Sequence, residues 1–204
     1  AVKATRSYLL ALDMDRLLAP FLREAGLQPR AKSYENWESS GLDGHTAGHY
    51  LSALATMIAA GADTPDNELR RRLDYMLAEL ERCQRASSDG YIGGVPGSRE
   101  LWKSVAEGRV EAVTSKWVPW YNLHKTYAGL RDAYLIAGSG KAREILTRYG
   151  DWCDTLVAGI SDDQMQRMLG QEHGGMNEVL ADIYAITGDE RYLRLARRFC
   201  HKAV

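Results

Sequence analysis

The sequence predicts an all-α protein of the (α/α)6-toroid type, incomplete, with three inner/outer helical hairpins and an N-terminal helix. Three observations predict it. Apolar residues recur at helical spacing along the chain, whereas strand-like alternation is almost absent. Helices poor in charge alternate with helices rich in it, as expected where one layer is buried and the next is half solvated. Each charge-poor segment also ends at a glycine suited to a left-handed C-terminal cap.

Taken in order, the N-terminal stretch AVKATRSYLLALDMDRL reads as helix, with Asp13 and Asp15 straight after a short apolar run. Residues 44–60 carry no Asp, Glu, Lys or Arg and stop at Gly61, which predicts an inner helix buried on all sides. Residues 66–85 carry ten charges in 20 positions, with Leu69, Leu73, Met76, Leu77, Leu80 and Cys83 as the apolar stripe of an outer partner. A segment with turn chemistry, SSDGYIGGVPGS from Ser87 to Ser98, lengthens this first unit. The second inner helix spans 119–137, with three charges in 19, and stops at Gly138; its partner at 141–158 has six in 18. The third starts near Gly174, has two charges in 12 over 175–186 and stops at Gly188, before an outer segment at 189–202 with seven in 14. About seven main helices follow from this reading.

Hairpins with buried inner helices suit either a straight solenoid or a closed toroid. Polar residues at the inner-helix starts favour the toroid, because parallel inner helices then aim those starts at one cavity. His45, His124 and His173 stand at nearly equal distances before the three capping glycines, which predicts three histidines at one level. A six-hairpin toroid needs about twice this length, so residues 1–204 read as one partial domain, the N-terminal half of a longer one. A half toroid leaves apolar flanks on its terminal inner helices, and the chain is therefore expected to associate as a homodimer.

Composition narrows the function. Hydrophobic residues at 45% and charged residues at 26% are those of a packed globular chain. A net charge of -1 supplies no field for phosphate backbones or anionic lipid, so neither nucleic acid nor membrane is an expected partner. Cys83, Cys153 and Cys200 form no CxxC pair and read as small apolar residues on helix faces. The N-terminus lacks the design of a signal peptide and begins as though inside a domain, which leaves export unread.

The candidate chemistry lies at the inner-helix starts. In LDGHTAGHYLSALA, His45 and His49 share a helix face at i and i+4. Such a pair can chelate a metal, satisfy buried hydrogen bonds or contact a polyhydroxyl ligand; Thr46 stands where a metalloprotease needs glutamate. In SKWVPWYNLHKTYAGLRDAY, Trp120, Tyr121 and His124 lie beside the core stripe Leu123, Tyr127, Leu130 and Tyr134. They suit either a sugar ring, whose C–H face stacks while its hydroxyls seek partners, or plain packing. In QEHGGMNEVLADIY, Glu172 and His173 precede Gly174 and Gly175, with Asn177 and Glu178 in the first helical turns. The glycines let backbone approach whatever Glu172 and His173 touch. Glycoside hydrolysis needs two carboxyl groups, and Glu38, Asp43, Asp89, Glu172 and Glu178 are available without a sequence rule to pair them.

At these residues the chain resembles the β-L-arabinofuranosidase family of glycoside hydrolases. The matching stretches are YLLALDMDRLLAPFLREAGL, YENWESSGLDGHTAGHYLSALA, DGYIGGVPGSREL, WVPWYNLHKTYAGLRDAY and EHGGMNEVLADIYAITGDERYL, in family order. The resemblance implies an (α/α)6 catalytic barrel, often followed by β-sandwich domains, that acts on arabinofuranose-containing glycans in a periplasmic or secreted parent. It also implies a cysteine nucleophile on a zinc held by further cysteines and a glutamate, with another glutamate as acid/base. None of Cys83, Cys153 and Cys200 stands in those motifs, so no catalytic or metal role carries over and zinc belongs to the longer parent. What carries over is sugar contact, by His45 and His49 from GHxxGHYLSA, His124 from WYxLHK, and Glu172 and Asn177 from ExGGMNE. The competing expectation is a non-catalytic α/α carbohydrate-binding or protein-interaction module.

Overall fold

The computed structural model describes residues 2–202. Among them there are helices and no strand: α1 (Val2–Ala11), α2 (Met14–Glu24), α3 (His45–Ala59), α4 (Glu68–Ser87), α5 (Ser98–Ala106), α6 (Pro119–Leu135), α7 (Gly140–Val157), α8 (Asp162–Gln171), α9 (Met176–Thr187) and α10 (Glu190–Arg198). Short 3-10 turns at Asn36–Ser39 and Val110–Ser115 precede α3 and α6. No helix among the described residues is long and apolar enough to cross a membrane.

The three hairpins are α3/α4, α6/α7 and α9/α10, and α6 is the centre, packed against both α3 and α9. The expected glycine stops are present: Gly61, Gly138 and Gly188 have φ of +66°, +73° and +76°. The N-terminal helix differs from expectation. It breaks between α1 and α2, where the Asp13 carboxylate accepts from Asp15 N at 2.9 Å and Arg16 N at 3.4 Å and so starts a new helix. The other additions to the expected helices are α5 and α8, which pack with the turn before α6. A capping box at Ser161 and Gln164 starts α8.

Close approach decides the α3–α6 contact. A Cβ on Gly48 would lie 2.1 Å from the Lys125 carbonyl oxygen, and one on Gly129 would lie 2.5 Å from the Gly48 carbonyl oxygen. Only glycine lets the two backbones meet there. Behind this seam an aromatic core ties α6 to α7, and α7 to the segment after α4. Tyr127 stacks on Tyr149 at 3.9 Å and donates its hydroxyl to the Tyr149 carbonyl at 2.6 Å, while the Tyr149 hydroxyl donates to the Ile92 carbonyl.

Burial corrects one expectation. In α6, ten of 17 residues are buried and only Leu135 is exposed, whereas α3, with seven of 15, is no more buried than α4, with ten of 20. The reason is neighbours: α6 is covered by inner helices on two sides, α3 and α9 on one. Low charge in α3 therefore does not mean burial all round, since His49 and Thr56 are exposed. The exposed large apolar side chains are Val2, Tyr8, Trp37, Trp117, Leu135 and Ile136. None lies on α3 or α9, whose half-exposed apolar side chains are Ala53, Ile58, Ala181, Tyr184 and Ile186.

Candidate functional site

The start of α3 has no cap of its own, since Gly44 stands at the cap position with φ +97°. Its free donors are taken by Glu38, from the preceding 3-10 turn and only 3% exposed. Gly44 N donates to Oε2 at 2.7 Å and Thr46 N to Oε1 at 2.9 Å. His45 completes the set, with Nδ1 2.9 Å from Glu38 Oε1 and 2.7 Å from the Leu42 carbonyl oxygen. Two acceptors at Nδ1 fix the proton there and leave Nε2 as the atom free to face a ligand. Burial pushes the Glu38 carboxyl up, but hydrogen bonds from His45, Thr46 and Gly44 outweigh it and hold the group below its ordinary range. The same contact with Glu38 raises His45. His49 lies one turn on, its ring edge-on to His45 at 5.9 Å, and is lowered by desolvation and by the nearby Lys125, His45 and His124.

The start of α6 is built in the same way. Val118 precedes it with φ +40°, a costly conformation for a β-branched residue, and Pro119 opens the first turn. Here the borrowed carboxylate is Glu172, just past α8: Oε1 accepts from Tyr121 N at 2.7 Å and Oε2 from Trp120 N at 3.1 Å. Gly174 lies against the same peptide, where a Cβ would be 2.8 Å from Tyr121 N. Burial raises the Glu172 carboxyl, and the two backbone donors oppose it. One turn into α6, His124 is 8% exposed, with Nε2 3.3 Å from Glu178 Oε2 and a buried Nδ1 that lacks a protein partner. Desolvation, then the Lys125 charge, lowers it. Arg131 holds Glu178 at 2.8 Å and Asp182 at 2.7 Å. Lys125 Nζ sits 4.5 Å from the centre of the Tyr121 ring.

The fold thus gathers His45, His49 and His124 with Tyr121 and Lys125 at one end of the α3–α6 seam. Glu172 supports this end from beneath. Trp120 does not face it: the side chain is fully buried, 4.5 Å from the Trp102 ring and 5.1 Å from the Phe199 ring, and offers no face to a ligand. His173 is engaged elsewhere. It precedes α9, stacks on His201 at 5.1 Å and directs Nδ1 to the Leu169 carbonyl oxygen at 2.7 Å. Asn177 is exposed beside it, with Nδ2 3.9 Å from Cys200 Sγ. Lys125 and the anchoring role of Glu38 escape sequence reasoning. The signals were there: Lys125 adjoins His124, and Glu38 is an acid just upstream of a helix start without its own cap.

Among the described residues no group of three or more His, Cys, Asp or Glu side chains could hold a metal ion. Cys83 and Cys153 are buried in helix faces, and burial pushes the Cys83 thiol up to about 12 and raises Cys153 further; Cys200 is exposed and apart from both. These cysteines do not fit a zinc–thiolate centre.

A family model described as beta-L-arabinofuranosidase, GH127 catalytic domain, matches residues 1–204. Among solved structures, the chain is similar to a GH127 beta-L-arabinofuranosidase from Geobacillus Stearothermophilus T6, with a TM-score of 0.60 and 19% identity. The match covers 93% of this chain and 27% of that chain, so the present sequence spans about a quarter of its neighbour. At this identity the likeness is one of fold. No curated protein matches.

Proposed function

Because this chain belongs to the GH127 β-L-arabinofuranosidase family of glycoside hydrolases, we propose that it supplies the sugar-contacting part of a retaining hydrolase acting on arabinofuranose-containing glycans. The observation that carries the proposal is the convergence of His45, His49, Tyr121, His124 and Lys125 at the starts of α3 and α6. The set suits a neutral furanose. His45, its Nδ1 held by Glu38 and the Leu42 carbonyl, turns Nε2 outward; His49 is exposed one turn on; His124, its Nε2 paired with Glu178, lines the same end, and Lys125 adds a donor.

Bond cleavage needs a carboxyl free to move a proton and another to act on the far face of the sugar. The available acids are engaged elsewhere. Glu38 and Glu172 hold helix starts, Asp43 accepts from Arg23 Nη2 at 3.2 Å and Gly41 N at 3.1 Å, Asp89 accepts from Tyr91 N at 2.9 Å, and Glu178 pairs with Arg131. The proposal therefore gives this chain binding and orientation, and gives the nucleophile, the acid/base and the zinc implied by the resemblance to other parts of the enzyme.

Calorimetric titration with methyl β-L-arabinofuranoside tests the first part, with weak binding expected and a loss of about tenfold or more in His45→Ala and His124→Ala. An aryl β-L-arabinofuranoside, assayed with and without zinc, tests the second. No turnover by the 204-residue chain is expected. Robust turnover abolished by Glu172→Gln would overturn the division of roles.

A further inference from the structure

A groove away from the histidines has a chemistry of its own. It opens where α5 meets α7 and holds about 270 Å³. Tyr91, Trp102, Trp152 and Leu156, all buried, form its floor, with the Trp152 ring centre 4.8 Å from Tyr91 and 5.7 Å from Trp102. Each ring is held by a further neighbour: Trp102 packs on Trp120 at 4.5 Å, Trp152 on Tyr149 at 5.5 Å, and the Tyr91 hydroxyl shares a hydrogen bond with Ser98 Oγ at 2.6 Å. The floor is therefore apolar and already shaped, which spares a ligand the cost of ordering it.

The rim carries charge that the fold leaves without a counter-ion. Arg99 is half-buried, and its partners are neutral: Nε donates to the Glu24 carbonyl at 3.0 Å, Nη2 donates to Ser87 Oγ at 2.7 Å, and Cζ stands 5.7 Å from the centre of the Tyr91 ring. The Glu24 carboxylate is turned to Arg23 and to Gly97 N. Lys103 lies one turn along α5 from Arg99, at i+4, and is exposed. Among the described residues neither cation makes an ion pair, whereas Arg30, Arg72 and Arg131 each meet a carboxylate. Asp89 is the acid of the rim, and its carboxylate accepts from Tyr91 N at 2.9 Å. Two cations against one acid leave the rim one charge positive.

We propose that this groove binds a small aromatic carboxylate, with its ring on the Tyr91, Trp102 and Trp152 floor and its carboxylate at Arg99 and Lys103. The proposal is independent of the sugar reading, because none of these residues belongs to the histidine site. A planar ring gains from tilted and edge-on contact with indoles, and a guanidinium with a nitrogen to spare is the strongest side-chain partner for a carboxylate. One negative charge on the ligand matches the single surplus charge of the rim. A neutral polyol would leave both cations unmet, and a bare phosphate would leave the aromatic floor uncovered.

The test uses the 204-residue chain with trans-cinnamate, its uncharged amide and inorganic phosphate as probes, read by calorimetry and by the five indole N–H signals in NMR spectra. Cinnamate is expected to bind with a Kd of about 0.1–1 mM and to shift the Trp102 and Trp152 signals while those of Trp37 and Trp117 stay in place. The amide should bind about fivefold more weakly or worse, and phosphate should not compete. Lys103→Gln should weaken cinnamate about two- to fivefold with an unchanged denaturant midpoint. Ala106→Trp, at an exposed position on the rim, should fill the groove and abolish cinnamate binding. Equal affinity for acid and amide, phosphate binding as tight as cinnamate, binding that survives Ala106→Trp, or shifts confined to other tryptophans each overturns the proposal, and so does failure of cinnamate to bind at all.

Discussion

Glu38 and His45 set the charge at the start of α3, and their linkage has a definite sign. His45 is raised in the fold, so its contribution is fully present below its ordinary value of 6.5 and is lost as pH rises through the folded value. Glu38 is lowered, so its contribution is present above 4.5 and is lost as pH falls through the folded value. The pair is therefore strongest between those two ordinary values. His49 and His124 run the other way: lowered in the fold, they favour it above 6.5 and oppose it as pH falls. A bulk stability curve would blur these opposed effects, whereas proton NMR titration resolves each imidazole. His45 should titrate above 6.5 and the other two below it, and Glu38→Gln should bring His45 down. Glu38→Ala leaves Gly44 N and Thr46 N unmet, while His45 Nδ1 keeps the Leu42 carbonyl, and should cost about 2–4 kcal/mol in denaturant unfolding; a loss below 1 kcal/mol would show that water replaces the carboxylate. At this scale His45, His49 and His124 were legible in the sequence because helical spacing fixes which residues share a face. The burial of Trp120 was not legible, since periodicity places a residue beside a stripe without saying what covers it. The setting of His173 was hidden because it lies in a loop, where no period applies.

The hairpin elements depend on how near two helices can come. At the α3–α6 seam, the carbonyl of Lys125 occupies the place a side chain at residue 48 would need. Gly48→Ala should cost about 3 kcal/mol or more, read as a lowered denaturant midpoint, because helix backbones cannot yield as a side chain tip can. Loss of sugar affinity should accompany it, as His45 and His49 would move away from Lys125. Gly61→Ala is strained by its φ of +66° but meets no atom within 4 Å, and should cost less. The glycine stops and the charge alternation made the three hairpins readable. The break at Asp13 and helices α5 and α8 were harder to read, because short connecting helices take their stability from the turn they pack on and carry little periodic signal of their own.

At the scale of the whole molecule, the three hairpins enclose one continuous core running from Leu9 to Phe199. The accessible surface is 9297 Å², against about 9,600 Å² expected for a compact monomer of this mass. The chain is as well covered as an ordinary domain, although it spans about a quarter of the enzyme it matches in fold. It should unfold in one cooperative calorimetric transition with a heat-capacity change of about 2.4–3.1 kcal/mol/K. Two separated transitions would mean that the first hairpin is independent of the third. The bond between Glu172 and the start of α6 bears on this, since it joins residues 51 positions apart. During synthesis, Tyr121 and His124 emerge well before the acid that seats their helix, so the ligand-facing end is completed only after α8 has been made. If the proposed sugar contact holds, it waits on Glu172, and a nascent chain halted before residue 172 would carry His45, His49 and His124 with the start of α6 still unseated.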